Sequence, residues 1–262
     1  MNWTSITGAS SGIGKSYALL AAEEGRRLVL SGRDEDRLQE TKLACLTAGA
    51  SDVKTIICDY SNLDDIEKFI QFHQEVGPIE RFVSCAGFGR FANVLEHDNA
   101  HMQKMLQVNL IATMLIVKEM ALLMLNQNLD HGEIGVITSV AGKIFTPKSG
   151  FYAASKAGLH GFCKALAQDL WDTPITVTSI LPGPTDTAFF NHEANGQAYF
   201  EHVKQFATTP EKVAKKMHKA LAKGRTEITV PAYYEGIYRL IQLFPETGAK
   251  VIHSFYALGN YR

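Results

Sequence analysis

Tyr152 and Lys156 stand four residues apart in Tyr152-Ala153-Ala154-Ser155-Lys156, and Ser139 lies thirteen residues before the tyrosine. On a helix the tyrosine and the lysine share a face, with Cβ atoms ~5–6 Å apart. A free phenol has a pKa of roughly 10 and is a poor base near neutral pH. A lysine cation beside it, together with the positive ring of an oxidised nicotinamide cofactor, favours the phenolate and should lower that value. Tyr152 then suits the transfer of a proton to or from a substrate oxygen. Ser139, expected at a strand end, can hydrogen-bond that oxygen as charge develops on it. Tyr-x3-Lys alone would read as a surface pair on a helix; the serine at a strand end is what speaks for chemistry.

A second group opens the chain: Thr7-Gly8-Ala9-Ser10-Ser11-Gly12-Ile13-Gly14. Between a strand and a helix, Gly8 permits a sharp exit, Gly12 lets the backbone approach a pyrophosphate, and Gly14 allows tight helix–strand packing. The helix start offers unpaired N–H groups and a positive dipole end to phosphates. An acid after the second strand would hold the ribose hydroxyls of NAD, but that place reads Ser31-Gly32-Arg33. A guanidinium there suits a bidentate grip on a 2′-phosphate, so NADP is expected ahead of NAD. As a bare loop residue, Arg33 would sit near Asp34 and Asp36. Asp59, after the third strand, can accept from an adenine amino group, cap the next helix, or do both.

These groups need a scaffold, and apolar runs alternate with helical patterns as in βαβ units of a parallel sheet. Strands are predicted at Trp3–Thr7, Leu28–Ser31, Val53–Cys58, Arg81–Ser84, Ile134–Ser139, Thr176–Leu181 and Glu227–Val230. The first helix carries Ile13, Tyr17 and Leu20 and ends at Gly25. Asp34 caps a second helix that ends near Gly49, and Ser61 caps a third that stops at Gly77-Pro78. Helical patterns also cover Asn99–Leu125, Gly150–Trp171 and Pro210–Lys223. Thr4 and Ser5 are more polar than a buried parallel strand prefers. Residues 1–262 read as one α/β domain, a doubly wound parallel sheet of about seven strands with helices on both faces. The stretch 186–209 shows no clear periodicity and is expected to be a lid. In the tail, 232–262, Tyr234, Ile237, Tyr238, Ile241 and Phe244 stand at helical spacing, a stripe expected to pack on the domain or on another subunit rather than to anchor in a membrane.

With 46% hydrophobic and 20% charged residues and a net charge of −1, the chain has a soluble globular composition and no basic excess suited to nucleic acid. Cys45, Cys58, Cys85 and Cys163 lie far apart without metal-like spacing, and read as reduced thiols. No charged leader opens the sequence, and no apolar stretch is expected to reach the ~18–20 residues of a membrane span, so a cytoplasmic setting is expected.

The glycine turn, the distant serine and the Tyr-x3-Lys pair together resemble the short-chain dehydrogenase/reductases, in motif order from Thr7 to about Thr187. The resemblance implies a Rossmann-like oxidoreductase with a tetrad of Asn109, Ser139, Tyr152 and Lys156. Lys156 would also bind the nicotinamide ribose, and Asn109 would bend its helix and seat a water that links the lysine to solvent. The resemblance further places Ala86-Gly87 near the adenosine ribose, and Pro182, Gly183, Thr185 and Thr187 near the nicotinamide. Ser84-Cys85 stands where the family usually has Asn-Asn, which leaves the support of the fourth strand open. The substrate is expected to be an apolar ketone, aldehyde or alcohol in a cleft lined by Lys143–Gly150, the lid, and Phe145, Phe151, Phe189, Phe190, Tyr199 and Phe200. Small residues on the helix from Tyr152 predict a homodimer or homotetramer. A non-catalytic NAD(P)-binding regulator or redox sensor on the same fold is the alternative. A sugar-nucleotide epimerase would show a Gly-x2-Gly-x2-Gly turn and a larger carboxy-terminal domain.

Overall fold

The computed structural model describes residues 2–191 and 194–258. Seven parallel strands, β1 (Trp3–Thr7), β2 (Arg27–Gly32), β3 (Asp52–Ile57), β4 (Ile79–Ser84), β5 (Gly132–Ile137), β6 (Ile175–Pro182) and β7 (Glu227–Val230), lie in the order β3-β2-β1-β4-β5-β6-β7. The order reverses between β1 and β4, which opens a crevice at the carboxyl ends of the strands. The strands are apolar on both faces because both are covered. Helices α1 (Gly12–Glu23), α2 (Glu35–Ala48) and α8 (Pro210–Leu221) close one face over Ile6, Tyr17, Leu30, Leu38, Val213 and Met217. On the other face α3 (Leu63–Val76), α5 (Thr113–Asn126) and α6 (Gly150–Asp169) cover Val29, Phe69, Phe82, Ile116, Met120 and Leu159. Each such side chain contributes about 1.5–3 kcal/mol through burial.

The polar residues of β1 are accounted for in part. Ser5 is fully buried and its hydroxyl meets Nε2 of buried His73 at 2.8 Å, whose Nδ1 lies 2.7 Å from the Phe69 carbonyl. Burial pulls the imidazole down to about 4, so it is neutral. At the opposite end of the sheet from the crevice, Arg81 and Glu133 face each other across β4 and β5 as a buried ion pair, and Arg81 also donates to the Tyr17 hydroxyl at 3.1 Å.

Several expected boundaries move. Asn62, not Ser61, caps α3, accepting from the Asp64 amide at 2.9 Å, because the Ser61 hydroxyl is committed to Asp59. The pattern over Asn99–Leu125 resolves into α4 (Asn99–Leu106), a π-helical turn over Gln107–Ala112, and α5. Contrary to expectation, the helical run Asn99–Asn126 is long and apolar enough to cross a membrane by length and composition; half of its most apolar window is buried inside the protein, so a core helix satisfies the same pattern. The segment after β6 is not aperiodic: it holds α7 (Ala194–Val203), flanked by 3-10 turns at Ala188–Phe190 and Lys204–Phe206. The tail forms α9 (Tyr233–Leu243) and α10 (Pro245–Leu258), and α9 buries none of its residues completely.

Candidate active site

One cleft at the carboxyl ends of the strands gathers Gly8, Ser10, Ser11, Gly12, Ile13, Gly14, Arg33, Asp59, Ala86, Gly87, Ser139, Tyr152, Lys156, Pro182, Gly183, Thr185 and Thr187. Asn109 stands directly behind it.

At the nucleotide end, Gly8 and Gly12 adopt φ of +63° and +52°, which only glycine reaches without strain. A Cβ on Gly14 would overlap the Gly8 carbonyl, so α1 packs on its own turn with no room for a side chain. Ser11 precedes α1 in extended conformation and its hydroxyl makes no cap, which leaves the first-turn N–H groups facing the cleft. Arg33 is exposed at the rim, joined there by Arg37 one turn into α2. The adjacent Asp34 is occupied: its carboxylate accepts from the Arg37 amide at 3.1 Å and pairs with that guanidinium at 3.4 Å. Asp59 accepts from the amide and hydroxyl of Ser61 at 2.9 and 2.7 Å. Burial opposes ionisation of Asp59, but those two bonds outweigh it and hold the carboxyl below its ordinary range. The Thr7 hydroxyl accepts from the Cys85 and Ala86 amides at 3.0 and 3.1 Å, which ties the end of β4 to β1 through backbone groups. The donor set, an open helix start and cationic rim joined by a glycine floor, fits a dinucleotide.

At the chemical end, Ser139 lies two residues past β5 rather than within it, and its oxygen accepts from the Ala141 amide at 3.1 Å. Its side chain also lies near enough to the Tyr152 hydroxyl to favour that group's ionised form. One turn along α6, Lys156 Nζ donates to the Ile137 carbonyl at 2.9 Å and sits 6.0 Å from the Tyr152 ring centre. The expected lowering of the phenol does not hold for the protein alone. Burial pushes Tyr152 up to about 12 and the neighbouring Ser139 hydroxyl offsets only part of that, while burial pulls Lys156 down to about 8. Asn109 bridges from the π turn: its Oδ1 accepts from the Phe88 amide at 2.9 Å and its Nδ2 donates to the Phe88 carbonyl at 2.7 Å. A widened helical turn is what turns that side chain toward the loop after β4.

The walls around Tyr152 are aromatic. Phe91 and Phe189 each lie 5.7 Å from its ring, and Phe91 stacks on Tyr199 at 4.0 Å. Phe88 and Phe190 complete the lining. Lys143–Gly150 do not reach the cleft, and neither do Phe145, Phe151 or Phe200; Phe145 is exposed, Phe151 packs on His97, and Phe200 stacks behind Phe190. Thr187 reaches back over the glycine turn, its methyl in contact range of Gly12. Arg37, Tyr60, Cys85, Phe88 and Phe91 were not among the residues expected to line the cleft. Only Arg37 left a signal, one helical turn beyond Arg33.

The short chain dehydrogenase family model matches residues 2–198. An uncharacterized oxidoreductase of Staphylococcus saprophyticus is 36% identical over 183 residues, covering 70% of this chain and 77% of that one. A second, from Staphylococcus aureus, is 32% identical over 184 residues, covering 70% and 78%. Among solved structures, a short chain dehydrogenase/reductase from Burkholderia phymatum in complex with NAD superposes with a TM-score of 0.85 at 25% identity, covering 94% of each chain. A short-chain dehydrogenase from Sphingobium yanoikuyae in complex with NADPH shares the fold at a TM-score of 0.80 and 20% identity, again over 94% of each chain. The match to the family model, over a sheet of this order and a cleft of this make-up, shows that the chain belongs to the short-chain dehydrogenase family and is an NAD(P)-dependent oxidoreductase.

Proposed function

We propose that the protein interconverts an apolar ketone or aldehyde and its alcohol, with NADP(H) preferred to NAD(H). The observation that carries this reading is the Ser139–Tyr152 hydroxyl pair, set beside Lys156 and walled by Phe88, Phe91, Phe189, Phe190 and Tyr199, with no acidic side chain among those neighbours. The cofactor supplies or accepts the hydride when bound. The amides opening α1 hold its pyrophosphate, Arg33 and Arg37 grip a 2′-phosphate, and Asp59 accepts from the adenine. Lys156 binds the nicotinamide ribose, while the Thr185 backbone and the Thr187 hydroxyl take the carboxamide.

Ser139 holds the substrate oxygen. Tyr152 gives it a proton in reduction and removes one in oxidation. Lys156, still largely charged at neutral pH with a value of about 8, offsets the negative charge left on the phenolate. Asn109 positions the loop at Phe88 and seats a water that connects Lys156 to solvent. Relatives of this fold carry either cofactor, so the NADP preference rests on this chain's own rim: two guanidinium groups, and an Asp34 already engaged by α2. Titration of NADPH and NADH against the protein tests that preference. NADPH is expected to bind about 10–100-fold more tightly, the worth of one charge-assisted bidentate contact; equal affinities would overturn it.

Subunit association is proposed through α5 and α6. Ile111, Leu115 and Leu122 are exposed along one side, and Ala154, Gly158, Gly161 and Ala165 form an exposed row of small residues on α6.

A further inference from the structure

Charge is unevenly divided along the chain: residues 204–262 hold ten Lys and Arg against four Glu, whereas residues 1–203 hold sixteen against twenty-three acids. In three dimensions much of that excess borders α9. A second cleft, between α8, β7 and α9, is lined by Lys216, Lys219, Lys223, Arg225 and Arg239. Its two acids are already engaged: Glu227 pairs with Lys143 and Lys164, and Glu235 with Lys143 and Arg239. Lys216, Lys219, Lys223 and Arg225 are exposed and make no ion pair among the described residues.

α9, which borders this cleft through Glu235 and Arg239, carries an exposed apolar stripe on another side of its surface. Tyr233, Ile237, Leu240 and Phe244 recur at helical spacing and are 41–62% exposed, with Leu243 at 71% and Val251 of α10 at 63%. Of the stripe expected to pack on the domain or on another subunit, Tyr234, Tyr238 and Ile241 are half-buried against the domain, while Ile237 and Phe244 are left exposed.

We propose that this face docks the protein on an anionic lipid surface, with α9 lying in the plane of the interface. An exposed apolar stripe rich in aromatic and leucine side chains, on a helix that also borders uncompensated Lys and Arg, is the make-up of a helix that lies on a membrane. Each basic residue near such a surface adds attraction to acidic headgroups. A second copy fits less well, because a two-fold contact would set the same unpaired cations against one another. The docking face is also continuous with the walls of the first cleft. Tyr234 packs against Gly183, the Tyr233 hydroxyl donates to the Phe206 carbonyl at 3.4 Å, and the Tyr256 hydroxyl donates to that of Tyr199 at 3.3 Å.

Flotation of the full chain with phosphatidylcholine vesicles, with and without phosphatidylglycerol, tests the proposal and needs no turnover, so it stands apart from the reading of the first cleft. Binding is expected only with phosphatidylglycerol present, strong at ~0.1 M salt and largely lost at ~1 M. Lys216→Gln with Lys219→Gln and Lys223→Gln is expected to weaken it on the order of a hundredfold, at about fivefold per charge. Leu240→Ser with Leu243→Ser is expected to cost at least about tenfold at low salt, with an unchanged circular dichroism spectrum. Absence of binding to anionic vesicles would overturn the proposal. So would equal binding to neutral ones, binding to duplex DNA instead of vesicles, or an oligomer that Leu240→Glu dissociates.

Discussion

Arg33 stands at the nucleotide end of the cleft and Tyr152 at its chemical end, and each can be tested by a single substitution. The acid that would hold ribose hydroxyls is missing from Ser31-Gly32-Arg33, which is why the guanidinium is proposed to take a 2′-phosphate. Replacing it tests the assignment: Arg33→Ala is expected to weaken NADPH binding by about 10–100-fold and to leave NADH almost unchanged, read by fluorescence titration. The identity of Tyr152 was equally plain, but its proton affinity was not, because desolvation depends on walls contributed by Phe91, Phe189 and Tyr199 from elsewhere in the chain. With the phenol near 12 and Lys156 near 8, reduction should be sustained below about pH 8 and fall above it as the lysine loses its charge. Oxidation, which needs the phenolate, should rise with pH over the same range; initial rates in both directions between about pH 6 and 10 check the signs. His73 carries a separate pH effect. Its folded value of about 4 lies below the ordinary 6.5, so the unfolded chain binds the extra proton, and stability is lost as pH falls from 6.5 through 4. The loss is about 3 kcal/mol, visible as an acid-side fall in melting temperature that His73→Gln should largely remove. Nothing in the sequence paired Ser5 with His73, since they meet only when α3 packs on β1.

The elements themselves were legible wherever periodicity and punctuation agree, as in the glycine turn, the strands and α2 between Asp34 and Gly49. They were missed where local signals conflict. The stretch 186–209 shows no clear periodicity, yet it holds α7, and the π turn around Asn109 is invisible to a 3.6-residue pattern that continues on both sides. The pairing of Arg81 with Glu133 follows from strand register, which no local pattern encodes. Glu133→Gln would leave the buried Arg81 charge without its partner and is expected to cost about 3–5 kcal/mol in denaturant unfolding. By contrast, Gly14→Ala places a methyl where the Gly8 carbonyl stands, and should lower both stability and nucleotide affinity because the turn and α1 must separate to admit it.

For the whole molecule, the doubly wound sheet follows from alternating apolar runs, while the surfaces left over do not, because their partners are outside the chain. The exposed rows on α5 and α6 predict that Leu115→Glu reduces the particle mass in light scattering without loss of helical content. The central claim is that the cleft is a working reductase site centred on Tyr152. Its most direct test is the rate of NADPH oxidation with a panel of aromatic and aliphatic ketones, wild type beside Tyr152→Phe. Turnover that falls by about 10²–10⁴ in the mutant, with NADPH affinity unchanged, is the expected result. Turnover that survives the loss of the hydroxyl would contradict it; a wild-type protein that reduces only small polar sugars or acids would overturn the apolar substrate instead.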